Sequence, residues 1–167
     1  MYKKILVPLD GSELAECALP HAEELAKGCS TGQVILITVT EQVQGQTGAP
    51  EAEELYRTTD RTEFRRAGSE MTVVFGKKQR QAERYLGRIA EKLESKGVKV
   101  HTEVLLWPPA EAIASYAKQN GADIIVMSSH GRSGVSRWAY GSVADKVLRS
   151  SCVPVLIIRA PGCVPGI

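Results

Sequence analysis

Apolar positions recur along the chain with two different periods. Lys4-Ile5-Leu6-Val7-Pro8-Leu9, Val34-Ile35-Leu36-Ile37-Thr38-Val39 and Asp123-Ile124-Ile125-Val126-Met127 are nearly unbroken apolar runs of strand length, the pattern of strands covered on both faces. Val98 to Leu106 alternates at first and predicts another strand, and Val153-Pro154-Val155-Leu156-Ile157-Ile158 predicts the last. Pro154 has no backbone N–H to donate, so it marks an edge or a strand's start.

Between these runs the period becomes helical. Ala15, Ala18, Leu19, Ala22, Leu25 and Ala26 predict one inner face, from a cap at Ser12 to Lys27, with Gly28 as the stop. Pro20 lies inside that pattern and removes a backbone hydrogen bond at an interior cost of about 3 kcal/mol, so a kink is expected. Ala82, Tyr85, Leu86, Ile89, Ala90 and Leu93 predict a helix over Lys78 to Lys96 that ends at Gly97. Pro109 suits the first position of a helix running through Ile113, Tyr116 and Ala117 to Asn120-Gly121. Ser142-Val143-Ala144-Asp145 has the S-x-x-[DE] form of a capping box and predicts a helix begun by Ser142 and reaching about Ser150.

The β-α alternation predicts an α/β protein with a parallel sheet and helices on both faces. At 167 residues one domain is the default, and residues 1–160 are read as that domain with 161–167 as a tail. Only the segment of about 41–77 resists, being too long for a structureless connection. Gln42 to Pro50 is rich in Gly and Gln, whereas Glu51 to Arg66 carries charges at helical spacing, such as Glu53 with Arg57, and reads as a weakly packed helix. Met71 to Phe75 reads equally as a short strand or a partner-facing apolar segment.

Composition narrows the function. The net charge is +2, and the few aromatics do not interleave with a basic stripe, so nucleic acid is not an expected partner. Lys3-Lys4 is followed only by Ile5 to Leu9 before Asp10, too short an apolar run for a leader or a membrane span, so a cytoplasmic location away from membranes is expected. Cys17, Cys29, Cys152 and Cys163 form no C-x-x-C pair, and His21, His101 and His130 are scattered, so neither a disulfide framework nor a zinc site is indicated. Gly76-Lys77-Lys78 lacks the upstream glycine of a P-loop, with Met71 in its place, and no G-x-G-x-x-G follows the first strand.

The remaining chemistry lies in two loops. Ser128-Ser129-His130-Gly131-Arg132-Ser133-Gly134, then Gly141-Ser142, joins a buried strand to a helix through glycines that let backbone approach a ligand. The helix start offers unpaired amides and a partial positive charge, which favour an anion. Asp10-Gly11-Ser12 follows the first strand. In a sheet ordered 3-2-1-4-5 both loops would edge one crevice, at the point where strand order reverses.

On these residues the chain resembles the universal stress protein family, in its ATP-binding branch. The likeness rests on Ile5-Leu6-Val7-Pro8-Leu9-Asp10-Gly11-Ser12, the strand end at Val39, Ile125 to Gly134, Gly141 to Val147 and Val153 to Ile158, and covers nearly the whole chain. The family motif, G-x-x-G, nine positions, then G-[ST], maps onto Ser128, Gly131, Gly141 and Ser142, with Ser128 standing for the first glycine. Trp107-Pro108-Pro109 stands where members often carry G-x-P.

The resemblance implies a Rossmann-like five-stranded parallel sheet of order 3-2-1-4-5. It implies ATP, or ADP or AMP, as ligand, with Mg²⁺ or Mn²⁺ on the phosphates. Pro8, Asp10 and Val39 would border adenosine; Met127 and Ser128 end the strand beside it; Gly131, Ser133, Gly141, Ser142 and Val143 would line the phosphates, with Arg132 and Arg137 as candidate counter-charges. Asp10 equally suits a helix cap through the D-x-x-E of Asp10 to Glu13. A homodimer through the last strand, Val155 to Ile158, is expected. Three functions follow: a nucleotide-dependent stress regulator, an interaction module of the same fold without nucleotide, and a slow ATP hydrolase. No evident general base or arginine finger favours the third.

Overall fold

Each apolar run becomes a strand of one parallel sheet. The structure, a computed structural model, describes residues 2–29, 32–40, 69–106, 108–129 and 141–159, and of 69–77 the backbone alone. β1 (Lys4–Pro8), β2 (Gln33–Val39), β3 (Lys99–Leu105), β4 (Ile124–Ser128) and β5 (Val155–Ile158) lie side by side in the order β3-β2-β1-β4-β5. All pairings are parallel, with Leu6 of the central strand opposite Ile35 on one side and Ile125 on the other. The Rossmann-like order expected from the sequence is the one found.

Parallel neighbours need long crossovers, and these carry α1 (Glu13–Glu16), α2 (Leu19–Gly28), α3 (Ser69–Glu94), α4 (Pro109–Gln119) and α5 (Ser142–Ser150). On one face, Ala15, Ala22, Leu86 and Ile89 pack on Ile5, Val7, Val34 and Leu36. On the other, Ala110, Ile113, Ala144 and Val147 pack on Leu6, Ile35, Ile37 and Ile125. Alternate residues of β1 and β2 therefore serve two cores, which is why both strands read as continuous apolar runs. Leu86 is fully buried; truncation to alanine at such a site costs about 2–5 kcal/mol.

Three expectations change. The stretch from Ser12 to Lys27 is two helices, not one kinked helix: α1 ends at a Cys17 cap, and α2 begins after Ala18 with Pro20 in its first turn. There a missing N–H forfeits no helical bond, and Ala15, Ala18, Ala22 and Ala26 all stay buried. Met71 to Phe75 is not a strand but lies within α3. Once the packed turns from Ala82 to Leu93 have nucleated a helix, each further residue adds a hydrogen bond at little cost.

The third change concerns α5. Its N-cap is Gly141, which makes no side-chain cap hydrogen bond, and Ser142 is already helical. Asp145 instead accepts from Arg149 Nε at 2.9 and 3.0 Å, an i,i+4 pair.

Elsewhere the punctuation holds. Gly97 takes φ +84°, its N–H donates to the Glu94 carbonyl and Val98 N–H to that of Leu93, the left-handed close that glycine permits. Residues 41–68 of the insertion and 161–167 of the tail lie outside the described residues.

Candidate functional site

β1 and β4 are neighbours, so the loops after them open on one cleft. At the end of β1, Leu9 N–H donates to the Ile37 carbonyl at 2.8 Å, and Gly11 turns the chain with φ +84°, a backbone conformation L side chains rarely adopt. Asp10 Oδ1 accepts from Ser12 N–H at 2.9 Å and from Ser12 Oγ at 2.6 Å, while Ser12 Oγ accepts from Ala15 N–H at 3.2 Å. Ser12 is the cap of α1, and Asp10 fixes that cap rather than being one.

At the end of β4 the backbone is clamped. Ser129 N–H donates to the Ile158 carbonyl at 2.8 Å, and Gly141 N–H donates to the Ser129 carbonyl at 2.7 Å. The first turn of α5 is thus brought directly against the strand end. Glycine at the cap brings no side chain of its own to the amides of that turn, and those amides carry the positive end of the helix dipole.

These parts line one cleft of about 1330 Å³, larger than most small-molecule sites. Pro8, Asp10, Val39 and Met127 border it, as do Ser128, Gly141, Ser142 and Val143. Eight residues singled out from the sequence are therefore brought together. Ser128 is buried, 6% exposed, at the tip of β4. Gly131, Arg132 and Ser133 lie outside the described residues, with His130, Arg137 and Trp107. Among the described residues no cluster of His, Cys, Asp or Glu could hold a metal ion.

The opposite wall carries no expectation from the sequence. Lys78, Arg84, Tyr85 and Arg88 of α3 border the same cleft. Tyr85 Oη donates to Glu16 Oε1 at 3.1 Å, tying α3 to α1. Burial, and then the neighbouring Glu16 carboxylate, push the Tyr85 phenol well above its ordinary pKa, so it remains a donor throughout the physiological range. Arg80, Arg84, Arg88 and Lys92 follow one another at i,i+4 along α3, where each like-charged pair costs about 0.2–0.5 kcal/mol. That row is the sequence signal that could have marked the wall.

Strand order and cleft define a class: a doubly wound α/β protein whose cleft opens at the topological switch point, between the carboxyl ends of β1 and β4. Within it, the chain belongs to the universal stress protein family, whose profile matches residues 1–159. Universal stress protein MJ0531 of Methanocaldococcus jannaschii is 31% identical over 161 residues, spanning 96% of this chain and 84% of that one. The solved structure of MJ0577, a universal stress protein of the same organism, superimposes with a TM-score of 0.75 at 31% identity, covering 97% of this chain and 99% of that one. A universal stress protein solved in complex with cAMP shares the fold, with a TM-score of 0.60 at 20% identity over 95% and 98% of the two chains.

Proposed function

We propose that this chain is an adenine-nucleotide-binding universal stress protein, with ATP, or else ADP or AMP, in the cleft, acting as a cytoplasmic nucleotide-dependent regulator in the stress response. The observation that carries the reading is the uncapped first turn of α5, held by the Gly141 to Ser129 hydrogen bond against the end of β4 and facing a cleft edged by Asp10 and Val39. Amides in that position suit phosphate. The cAMP complex of a protein with the same fold supports the same class of ligand.

In this reading Pro8, Asp10 and Val39 border adenosine, with Met127 and Ser128 at the strand end beside it. Gly141, Ser142 and Val143 meet the phosphates together with Gly131, Arg132 and Ser133. Mg²⁺ or Mn²⁺ would accompany the phosphates as a hard cation and spread their charge; Asp10, at the cleft's edge, would accept from a ribose hydroxyl or steady a metal-bound water. Nucleotide turnover is slow or absent.

The test is thermal unfolding of dialysed protein with and without Mg-ATP. At 100 times the dissociation constant the ligand adds about 2.7 kcal/mol, which raises the midpoint by about 5–10 °C in a domain of this size. No shift with millimolar ATP, ADP or AMP overturns the proposal. The Ser128 side chain, buried where the family motif has glycine, favours a second reading, a homodimeric interaction module with no nucleotide. Adenine nucleotide released on denaturing purified protein excludes it.

A further inference from the structure

The cleft has a second cationic wall that a mononucleotide on the α5 side leaves unused. Val34 and Leu36 of β2 pack toward α2 and α3, whereas Ile35 and Ile37 pack toward α4 and α5. By the same alternation Thr38 belongs to the α3 side and Val39 to the α5 side. The cleft therefore has two lobes that meet over the ends of β1 and β2, one walled by α5 and the other by α3.

Three observations mark the α3 lobe. First, Lys27, Lys96 and Arg149 each pair with a carboxylate, yet Arg84 and Arg88, one turn apart and both bordering the cleft, form no ion pair among the described residues. Second, Gly87 lies in the same stripe as Arg84, Arg88 and Glu91, and nothing stands within 4 Å of where its Cβ would be. Glycine there leaves helix backbone open to close approach. Third, at the head of the lobe the Thr38 hydroxyl is buried with no hydrogen-bond partner among the described residues, which native structures rarely leave unexplained.

We infer that the α3 wall, through Arg84 and Arg88, is a second phosphate subsite, and that the ligand class of this cleft is a nucleotide carrying a further phosphate-bearing arm away from its 5′ phosphates. The inference rests on the nucleotide reading above and deepens it. Planar guanidinium groups one turn apart match phosphate oxygens bidentately. From Lys78 to Arg88 the wall runs about 15 Å down α3, room for an arm of several bonds. Two chemistries supply such an arm: a second phosphate on the ribose, or a polyphosphate bridge to a second nucleoside.

The test is calorimetric titration of the full chain, and of the double variant Arg84→Gln/Arg88→Gln, with AMP, ATP, adenosine 3′,5′-bisphosphate and diadenosine tetraphosphate. One of the two-armed probes is expected to bind the unaltered protein at least about tenfold tighter than AMP. In the double variant that advantage disappears, while AMP affinity stays within about twofold; glutamine keeps the helix propensity of arginine, so the fold is retained. Whichever two-armed probe is preferred identifies the arm. Equal affinity for AMP and both two-armed probes overturns the subsite and leaves the nucleotide reading standing. So does an equal loss for all four ligands in the variant, because that is a long-range field rather than a contact. Absence of AMP and ATP binding to the unaltered protein overturns the nucleotide reading and the subsite with it.

Discussion

Replacing Gly87 by alanine should make the empty protein more stable and the α3 lobe less able to hold a ligand. Gly87 sits in the interior of α3 with open space where a methyl group would go. The substitution therefore meets no steric penalty, and only the intrinsic preference remains. Glycine is about 0.8–1.0 kcal/mol worse than alanine in a helix interior, mostly through the entropy of the unfolded chain. A gain of about 1 kcal/mol moves the thermal midpoint up by about 2–4 °C in a domain of this size. Urea denaturation is the sharper assay, since a higher midpoint at unchanged slope reports stability alone. The new methyl stands on the cleft wall beside Arg84, so affinity for a two-armed nucleotide falls while that for AMP does not. Opposite signs in the two assays are the signature. A midpoint that stays put or falls at unchanged slope refutes the reasoning, because it means that the space above Gly87 is already taken.

Two further outcomes follow from the described contacts. Asp123 Oδ2 accepts from the N–H groups of Lys4 and Lys3 at 2.8 and 2.7 Å, and those donors hold its carboxyl below the ordinary carboxylate range. A folded-state pKa below the unfolded one contributes stability above the unfolded value, near 4, and loses it as pH falls through the folded value. Asp123→Asn should therefore cost about 1 kcal/mol at pH 7 for this exposed pair, and the gap to the unaltered protein should close below about pH 4 in denaturation curves taken across pH. The second concerns the sheet edges: β3 carries Lys99, His101 and Glu103, whereas β5 is Val155-Leu156-Ile157-Ile158, with Leu156 at 37% and the nearby Leu148 of α5 at 43% exposure. An uncharged edge invites pairing, so the proposed homodimer should form through β5, and Leu156→Lys should give a monomer by light scattering; an unaltered protein that is itself monomeric at working concentration removes the dimer.

The sheet was legible because burial on both faces leaves a mark that no other strand environment leaves. Ile5 to Leu9 and Val34 to Thr38 have almost no polar interruption, and strands of that kind need helices above and below. Strand order was not in the residues themselves; it came with the family resemblance and agrees with the pairing of β1 to β4. The α3 wall escaped notice for a different reason. Helical periodicity tells which residues face the core, here Ala82, Leu86 and Ile89, but not which of their flanking neighbours border a cleft. That depends on α1 ending after one turn so that Glu16 can reach Tyr85 across the gap.

The start of α5 shows how much can turn on one residue of register. Ser142-Val143-Ala144-Asp145 satisfies the capping-box pattern, and Gly141 satisfies the preference for glycine at the same position almost as well. Local propensity does not separate them. Tertiary structure does: Gly141 N–H donates to the Ser129 carbonyl and its own carbonyl accepts from Asp145 N–H, which fixes glycine as the cap and moves serine into the first turn. The functional consequence is a reversal. A serine cap would have spent its hydroxyl on the helix's own amides and closed the anion site from within, whereas a glycine cap leaves those amides for a phosphate and frees the Ser142 hydroxyl to join them. Gly141→Asp puts this to the test, since a carboxylate at the cap stabilises α5 from inside and occupies the place proposed for the ligand. The variant should fold and show no ATP-dependent rise in its melting midpoint; a rise equal to that of the unaltered protein would mean that phosphate binds elsewhere.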